Sequence, residues 1–265
     1  MKLHTNRRGN GPLLVCHPGG PGFDGSELLD LGGLDATRTL VLVDPRGTGG
    51  SAEAETYLLD DYVEDLEELR ADLGEEQIDL LGFSHGGLVA AAYALAHPER
   101  IRKLVLTVGL AAFTPEMQAE AERVIASFAH EPWHAEATAA LAREESGDYG
   151  TPEEAAAMWN AMVPLYFSRW EERYRPFVEV ARMNPEPGRQ FGATPFDLRP
   201  ELDRIDADTL VITGRDDFIC GPAAAQVLAD GIPGSELVIV ENAGHMLHVE
   251  QPAAYSAPVE AFLAR

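Results

Sequence analysis

A chain of 265 residues with 45% hydrophobic content can bury a full core, as one large α/β domain or as a domain carrying a sizeable insertion, which excludes a disordered chain. Its formal charge of −24, from 44 acidic against 20 basic residues, opposes binding to nucleic acid or to an anionic membrane, because phosphates require the opposite sign. The first ten residues are polar, no apolar run approaches the ~20 residues that span a bilayer, and two cysteines, Cys16 and Cys220, provide neither a disulfide framework nor zinc-ligand spacing, so the expectation is a cytoplasmic protein with free thiols, no metal and no cofactor.

Leu13 to Cys16 reads as a short strand that ends on His17-Pro18-Gly19-Gly20-Pro21-Gly22, a loop whose bare backbone can approach a ligand closely. Leu28 to Leu34 reads as a short helical segment, and Thr39 to Val43 as a strand of apolar and β-branched residues. The next loop, Asp44-Pro45-Arg46-Gly47-Thr48-Gly49-Gly50-Ser51, resembles a phosphate loop only superficially, since no Gly-Lys-Ser/Thr follows; a structural turn held by Asp44 and Arg46 is the expectation. Tyr57 to Leu73 is an amphipathic helix with Tyr62, Leu66, Leu69 and Leu73 inward and its acidic residues in water.

The strand Gln77 to Leu81 runs into Gly82-Phe83-Ser84-His85-Gly86 and then into an Ala-rich helix from about Leu88 to His97. Gly-x-Ser-x-Gly between a strand and a helix is the context of a nucleophile elbow, in which small residues two before and two after the serine let neighbouring backbone pass. A strand at Leu104 to Val108 completes a strand–helix–strand unit, and the alternation implies an open, mostly parallel sheet flanked by helices.

The rhythm breaks from 112 to 196, where helical segments Pro115 to Phe128, Trp133 to Glu144 and Pro152 to Met162 replace strands. This stretch holds all three tryptophans and twelve of the twenty Phe, Tyr and Trp residues, as a helical cap over an apolar cleft would, although most of these aromatics must serve its own small core. Trp159 and Trp170 are candidates for lining the cleft. The expected division is therefore a catalytic domain, 1–111 and 197–265, with a cap insertion at 112–196. The alternation resumes with a strand Thr209 to Thr213, a helix Pro222 to Ala229, a strand Glu236 to Val240 and a last helix Pro252 to Leu263.

In an open parallel sheet, ligands bind beyond the carboxyl ends of the strands. The residues at those ends are Gly19 and Gly20, Ser84, Asp216 or Asp217, and His245, in the chain order Ser, Asp, His. A serine hydroxyl needs an imidazole to take its proton, and the imidazole needs a carboxylate to fix its tautomer. Ser84 is assigned as nucleophile, His245 as general base and then acid, and Asp217 as the orienting carboxylate. Backbone N–H donors aimed at the developing oxyanion are worth roughly 3–4 kcal/mol each, and His85 N–H with Gly20 N–H, or Gly19 N–H as second choice, are the candidates.

Pro-Gly-Gly-Pro-Gly at 18–22, Asp-x-Arg-Gly-x-Gly-x-Ser at 44–51, Gly-Phe-Ser-His-Gly-Gly at 82–87, Gly-Arg-x-Asp at 214–217 and Gly-His at 244–245 together resemble the α/β-hydrolase fold, and within it the proline iminopeptidase group. The resemblance implies a cap inserted after the sixth strand, and it places the acid at the Asp of Gly-x-x-Asp, favouring Asp217 over Asp216. The chain departs from the group in having Pro18 where the group's loop has histidine, and in much shortened N-terminal strands. Aminopeptidases of the group hold the substrate amine with cap glutamates; their motif has no match here, and Glu171 and Glu172 beside Trp170 are the nearest candidates, against the alternative of a solvated helix face.

The implied function is a serine hydrolase passing through an acyl-enzyme, acting as an aminopeptidase on small peptides or amides. A hydrolase of small apolar esters or lactones is the alternative, and a ligand-binding receptor with little turnover is a third. Ser84 argues against dehalogenase or epoxide hydrolase chemistry, which needs a carboxylate at the elbow. His130 and His134 lie four apart, but Pro132 intervenes and no third metal ligand is evident.

Overall fold

A computed structural model of the chain describes residues 1–180 and 183–265. Its strands are β1 (His4–Gly9), β2 (Leu13–His17), β3 (Thr39–Asp44), β4 (Ile78–Phe83), β5 (Ile101–Thr107), β6 (Asp208–Gly214) and β7 (Glu236–Val240), joined in one sheet of order β1-β3-β2-β4-β5-β6-β7. Only the β1–β3 pairing is antiparallel. The helices are α1 (Leu59–Leu73) and α2 (His85–Ala96), then α3 (Pro115–Ser127), α4 (His134–Glu145), α5 (Pro152–Met162), α6 (Arg175–Val178) and α7 (Glu186–Ala193) between β5 and β6, and finally α8 (Pro222–Gly231), α9 (Leu247–Glu250) and α10 (Pro252–Leu263). Among the described residues no helix is long and apolar enough to cross a membrane.

The strands read as apolar runs because both faces of the sheet are covered. Val15, Val41, Val43, Leu80, Leu104 and Val211 point to one side, where they pack with α1 and α2. Their alternating neighbours Leu14, Cys16, Leu40, Leu42, Leu81 and Val105 point to the other, where α10 and the inserted helices complete a second core. The two-residue period of the pleat thus sorts each strand between two cores.

Two expectations are corrected. Five strands, not six, precede the helices between β5 and β6, because β1 is the single strand before β2. β1 itself is not visible as a strand in its sequence: His-Thr-Asn-Arg-Arg-Gly is polar because it is an edge with almost every side chain in water. The helix expected over Leu28 to Leu34 is instead two 3-10 turns, Gly25–Leu28 and Leu34–Ala36, separated by Leu29 and Leu31 at φ 53° and 50°. Leu28, Leu31 and Leu34 are all buried, so their three-residue spacing imitates a helix without one.

Asp44 and Arg46 are structural, as expected. Asp44 accepts from His4 Nδ1 and from the Gly25 and Gly50 N–H groups, while Arg46 pairs with the buried Asp65 of α1 at 2.7 Å.

The insertion is fastened to the loop carrying His245 through Glu250, at the end of α9. Its carboxylate accepts from Gly244 N–H at 2.6 Å and from Ser168 and Arg169 N–H at 3.2 Å each. Met246 N–H adds a bond to Tyr166 O at 3.1 Å. Burial nevertheless pushes the Glu250 carboxyl up to about 7, against the pull of those three N–H groups. Glu250→Ala strands three backbone donors and is expected to cost about 2 kcal/mol of stability, read from the denaturant midpoint at unchanged m-value.

Three histidines are buried neutral: His17, His85 and His248, which burial lowers to about 4, 3 and 4. The ring nitrogens of His248 have no well-formed hydrogen bond, only a weak approach to the Glu27 backbone, and the ring is packed against Phe83 and Tyr255. The unfolded chain protonates such a group at ~6.5 while the fold resists until about 4, so stability present above ~6.5 is lost as pH falls through that window. His248→Leu is expected to be more stable than the parent, by about 2 kcal/mol more at pH 5 than at pH 7.5 in urea unfolding; an equal difference at both pH values would place the proton elsewhere.

Candidate active site

The turn between β4 and α2 is built on two close backbone passages. A Cβ on Gly82 would strike the carbonyl oxygen of Gly86, and one on Gly86 would strike the carbonyl oxygens of His17 and Pro18. With both positions glycine, the chain turns sharply enough to hold Ser84 at φ 55° and ψ −118°, a left-handed conformation that costs a non-glycine residue of order 1 kcal/mol or more. Ser84 N–H donates to Thr107 O on the neighbouring strand at 2.9 Å and its carbonyl accepts from Gly87 N–H at 2.8 Å, which pins the strained residue from both sides.

His245 follows β7, and its Nδ1 lies 2.8 Å from Asp217 Oδ2 in the loop after β6. Asp217 is fully buried, and its other oxygen accepts from Ile219 and Cys220 N–H at 2.9 and 3.1 Å. An acceptor-only carboxylate at Nδ1 requires the proton there, which leaves Nε2 as the basic nitrogen. Phe83 and Tyr166 meet the imidazole edge-on, with ring centroids 5.4 and 5.3 Å away. Asp216 is turned elsewhere: its Oδ2 accepts from Ser168 Oγ at 2.6 Å.

Ser84 and His245 line one cavity of about 660 Å³, which Gly20 also borders. His85 N–H opens α2, where helix geometry offers it no intrahelical acceptor. Gly19 N–H, by contrast, is taken: it donates to Glu27 Oε2 at 2.8 Å. That bond removes Gly19 as the alternative donor and leaves Gly20 on this loop.

One wall of the cavity is aromatic. Phe23, Trp159, Tyr166 and Phe218 follow one another edge to face, with centroid separations of 4.7, 4.6 and 5.2 Å. Trp159 is thus on the cavity, its Nε1 bonded to Val178 O at 2.9 Å. Trp170 and Glu171 are not among its lining. Trp170 packs on Phe167 beneath the Arg175 guanidinium, and Glu171 pairs with Arg173 at 3.1 Å. Glu172 likewise pairs with Arg175 at 2.8 Å. The arginines of this short stretch satisfy its glutamates at the surface, which corrects the expectation that Glu171 serves a substrate.

Four other carboxylates reach the cavity: Glu27, Glu122, Glu144 and Glu145. No lysine or arginine among the described residues lines it. Burial pushes Glu27 up to about 7, against Gly19 N–H and the charge of His245, and burial with the neighbouring Glu145 pushes Glu144 to about 7. Sequence reasoning missed all four, since nothing in their local pattern separates them from a solvated helix face. His17 and His85 are buried beside Tyr62, and Cys16 and Cys220 are buried free thiols. His130 is exposed against Glu131, His134 Nε2 meets Ile125 O, and no cluster of His, Cys, Asp and Glu suited to a metal occurs among the described residues.

The profile of the α/β hydrolase fold matches residues 12–252. The proline iminopeptidase of Saccharolobus solfataricus is 31% identical over 280 residues, covering 99% of this chain and 87% of that protein. A 2-hydroxy-6-oxononadienedioate/2-hydroxy-6-oxononatrienedioate hydrolase of Klebsiella pneumoniae is 31% identical over 285 residues, covering 100% and 92%. The crystal structure of a hydrolase from Pseudomonas aeruginosa PA01 superposes with a TM-score of 0.75 at 27% identity, covering 99% of this chain and 94% of that one. Carrying the strand order, the serine elbow and the buried His–Asp pair on strand ends, and matched over nine-tenths of its length, the chain belongs to the α/β-hydrolase fold family and is a hydrolase of that type.

Proposed function

We propose that the protein is a serine hydrolase that cleaves small peptides or amides bearing a free amino terminus. Ser84 Oγ attacks the carbonyl carbon while Nε2 of His245 takes its proton, and the C–N bond breaks as that proton passes to the leaving amine. Water, deprotonated by the same imidazole, then hydrolyses the acyl-serine. Asp217 holds the imidazole in the tautomer this needs and stabilises its cation, and the N–H groups of His85 and Gly20 receive the charge that develops on the carbonyl oxygen. Residues 112–196 act as the cap, whose Trp159 lines the cleft with Phe23 and Tyr166.

The observation that carries the substrate class is the cavity's charge: four glutamates and, among the described residues, no lysine or arginine. Such a lining attracts an ammonium group and repels a dianion. It therefore favours the aminopeptidase side of the family over dienedioate substrates of the kind named for the Klebsiella relative. The aromatic wall supports a second reading, hydrolysis of small apolar esters or lactones with the same residues.

Ser84→Ala is expected to lower turnover at least ~10³-fold and to abolish labelling by a fluorophosphonate, scored by intact-protein mass. Asp217→Asn is expected to cost ~10³–10⁴-fold in kcat, whereas Asp216→Asn, which disturbs only the bond to Ser168, stays within about tenfold. A panel of prolyl and other aminoacyl arylamides, their N-acetyl derivatives, butyrate esters and lactones tests the class. Turnover of arylamides only when the amine is free supports the peptidase, and ester or lactone turnover without arylamide cleavage favours the second reading.

A further inference from the structure

Glu27 is partly buried and, unlike the fully buried carboxylates among the described residues, has no ion-pair partner. Each of those faces a basic group: Asp44 meets His4 at 2.7 Å, Asp65 meets Arg46 at 2.7 Å, Asp79 meets Arg102 at 2.7 Å and Asp217 meets His245 at 2.8 Å. Glu27 accepts one neutral N–H, from Gly19, and no lysine, arginine or histidine among the described residues pairs with it. A carboxylate held partly out of water without an ion-pair partner is costly, and only the Gly19 N–H and the more distant His245 relieve it.

Its position is fixed from below. The 3-10 turn that carries it is N-capped by Asp24, whose Oδ1 accepts from Ser26 N–H at 2.8 Å. An ideal Cβ on Gly19 would stand 3.1 Å from Ser84 Cβ and 3.3 Å from Glu27 Oε2, so the serine and the carboxylate both lie against this one glycine. Glu27 lines the same cavity as Ser84 and His245. It also borders a recess of about 110 Å³, shared with Asp24 and Glu179, behind the Phe23–Trp159 contact. The counter-charge that the protein withholds from Glu27 has room to arrive with a ligand.

We propose that Glu27 receives the α-ammonium of the substrate, the group two bonds from the carbonyl carbon that Ser84 attacks. The proposal rests on the aminopeptidase reading above and assigns amine recognition to the catalytic side of the cleft, next to the glycine loop, and not to the inserted helices. Burial, which raises the carboxyl to about 7, is offset once an ammonium pairs with it. The bond from Gly19 then orients the carboxylate while its other oxygen meets the substrate.

The test uses the full chain and the benzyl esters of L-alanine and propionic acid, which differ only in the α-amine, with L-alanine p-nitroanilide as a third substrate. The parent is expected to prefer the alanine ester, and Glu27→Gln to lower that preference, taken as the ratio of kcat/KM values, about tenfold or more, chiefly through KM. Glu27→Asp, which keeps the charge on a shorter arm, is expected to restore part of the preference and guards against a folding defect in the amide variant. An unchanged ratio in Glu27→Gln, including an equal fall on both esters, overturns the proposal by reducing Glu27 to a support for Gly19. Loss of the preference in Glu144→Gln with Glu27→Gln unaffected also overturns it, while the aminopeptidase reading stands. A parent that shows no amine preference and leaves the anilide uncleaved overturns both.

Discussion

The passage of α2's first turn beneath the glycine loop, at Gly86 against the carbonyls of His17 and Pro18, is the contact on which the carboxyl end of the sheet depends. It brings the loop after β2 and the turn after β4 to within a glycine's width of each other. From that contact follow the left-handed backbone of Ser84, the approach of Gly19 to the serine, and the opening of Gly20 onto the same cavity. A side chain at Gly86 would push the loop off the elbow, and one at Gly82 would push the strand off the first turn of α2; in both cases the nearest atoms in the way are backbone carbonyls, which cannot swing aside as a side chain can.

On the far side of Ser84 the geometry is set by electrostatics. Asp217 is buried with its two oxygens divided between backbone N–H groups and the imidazole, so its charge is stabilised without water and its direction is fixed. The adjacent Asp216, chemically identical, is diverted to Ser168. Two neighbouring aspartates thus take separate tasks, one toward the histidine and one toward the insertion, by pointing to opposite sides of one turn.

Much of this was legible before any coordinates. The apolar runs, the glycine-flanked serine and the strand-end positions of Asp217 and His245 are local patterns, written in residues a few places apart. β1 was hidden because an edge strand needs no apolar side chains, and the turns around Leu29 and Leu31 were hidden because their leucines keep a helix-like spacing. Glu27, Glu144 and Glu250 were illegible for a different reason. Each looks like an ordinary surface glutamate until the fold half-buries it, and what distinguishes them is a neighbour brought from elsewhere in the chain: Gly19 for Glu27, the cavity wall for Glu144, the Ser168 and Arg169 amides for Glu250. Glu171, beside a tryptophan in the insertion, offered the more inviting pattern and proved to belong to its own arginine.

The fastening at Glu250 uses main-chain amides of Gly244, Ser168 and Arg169, not their side chains. At position 169 that attachment tolerates any residue with a backbone N–H, whereas Ser168 adds a side-chain bond from its Oγ to Asp216. The cavity-lining side chains of α3, α4 and α5 can therefore change while the main-chain join beside His245 stays intact.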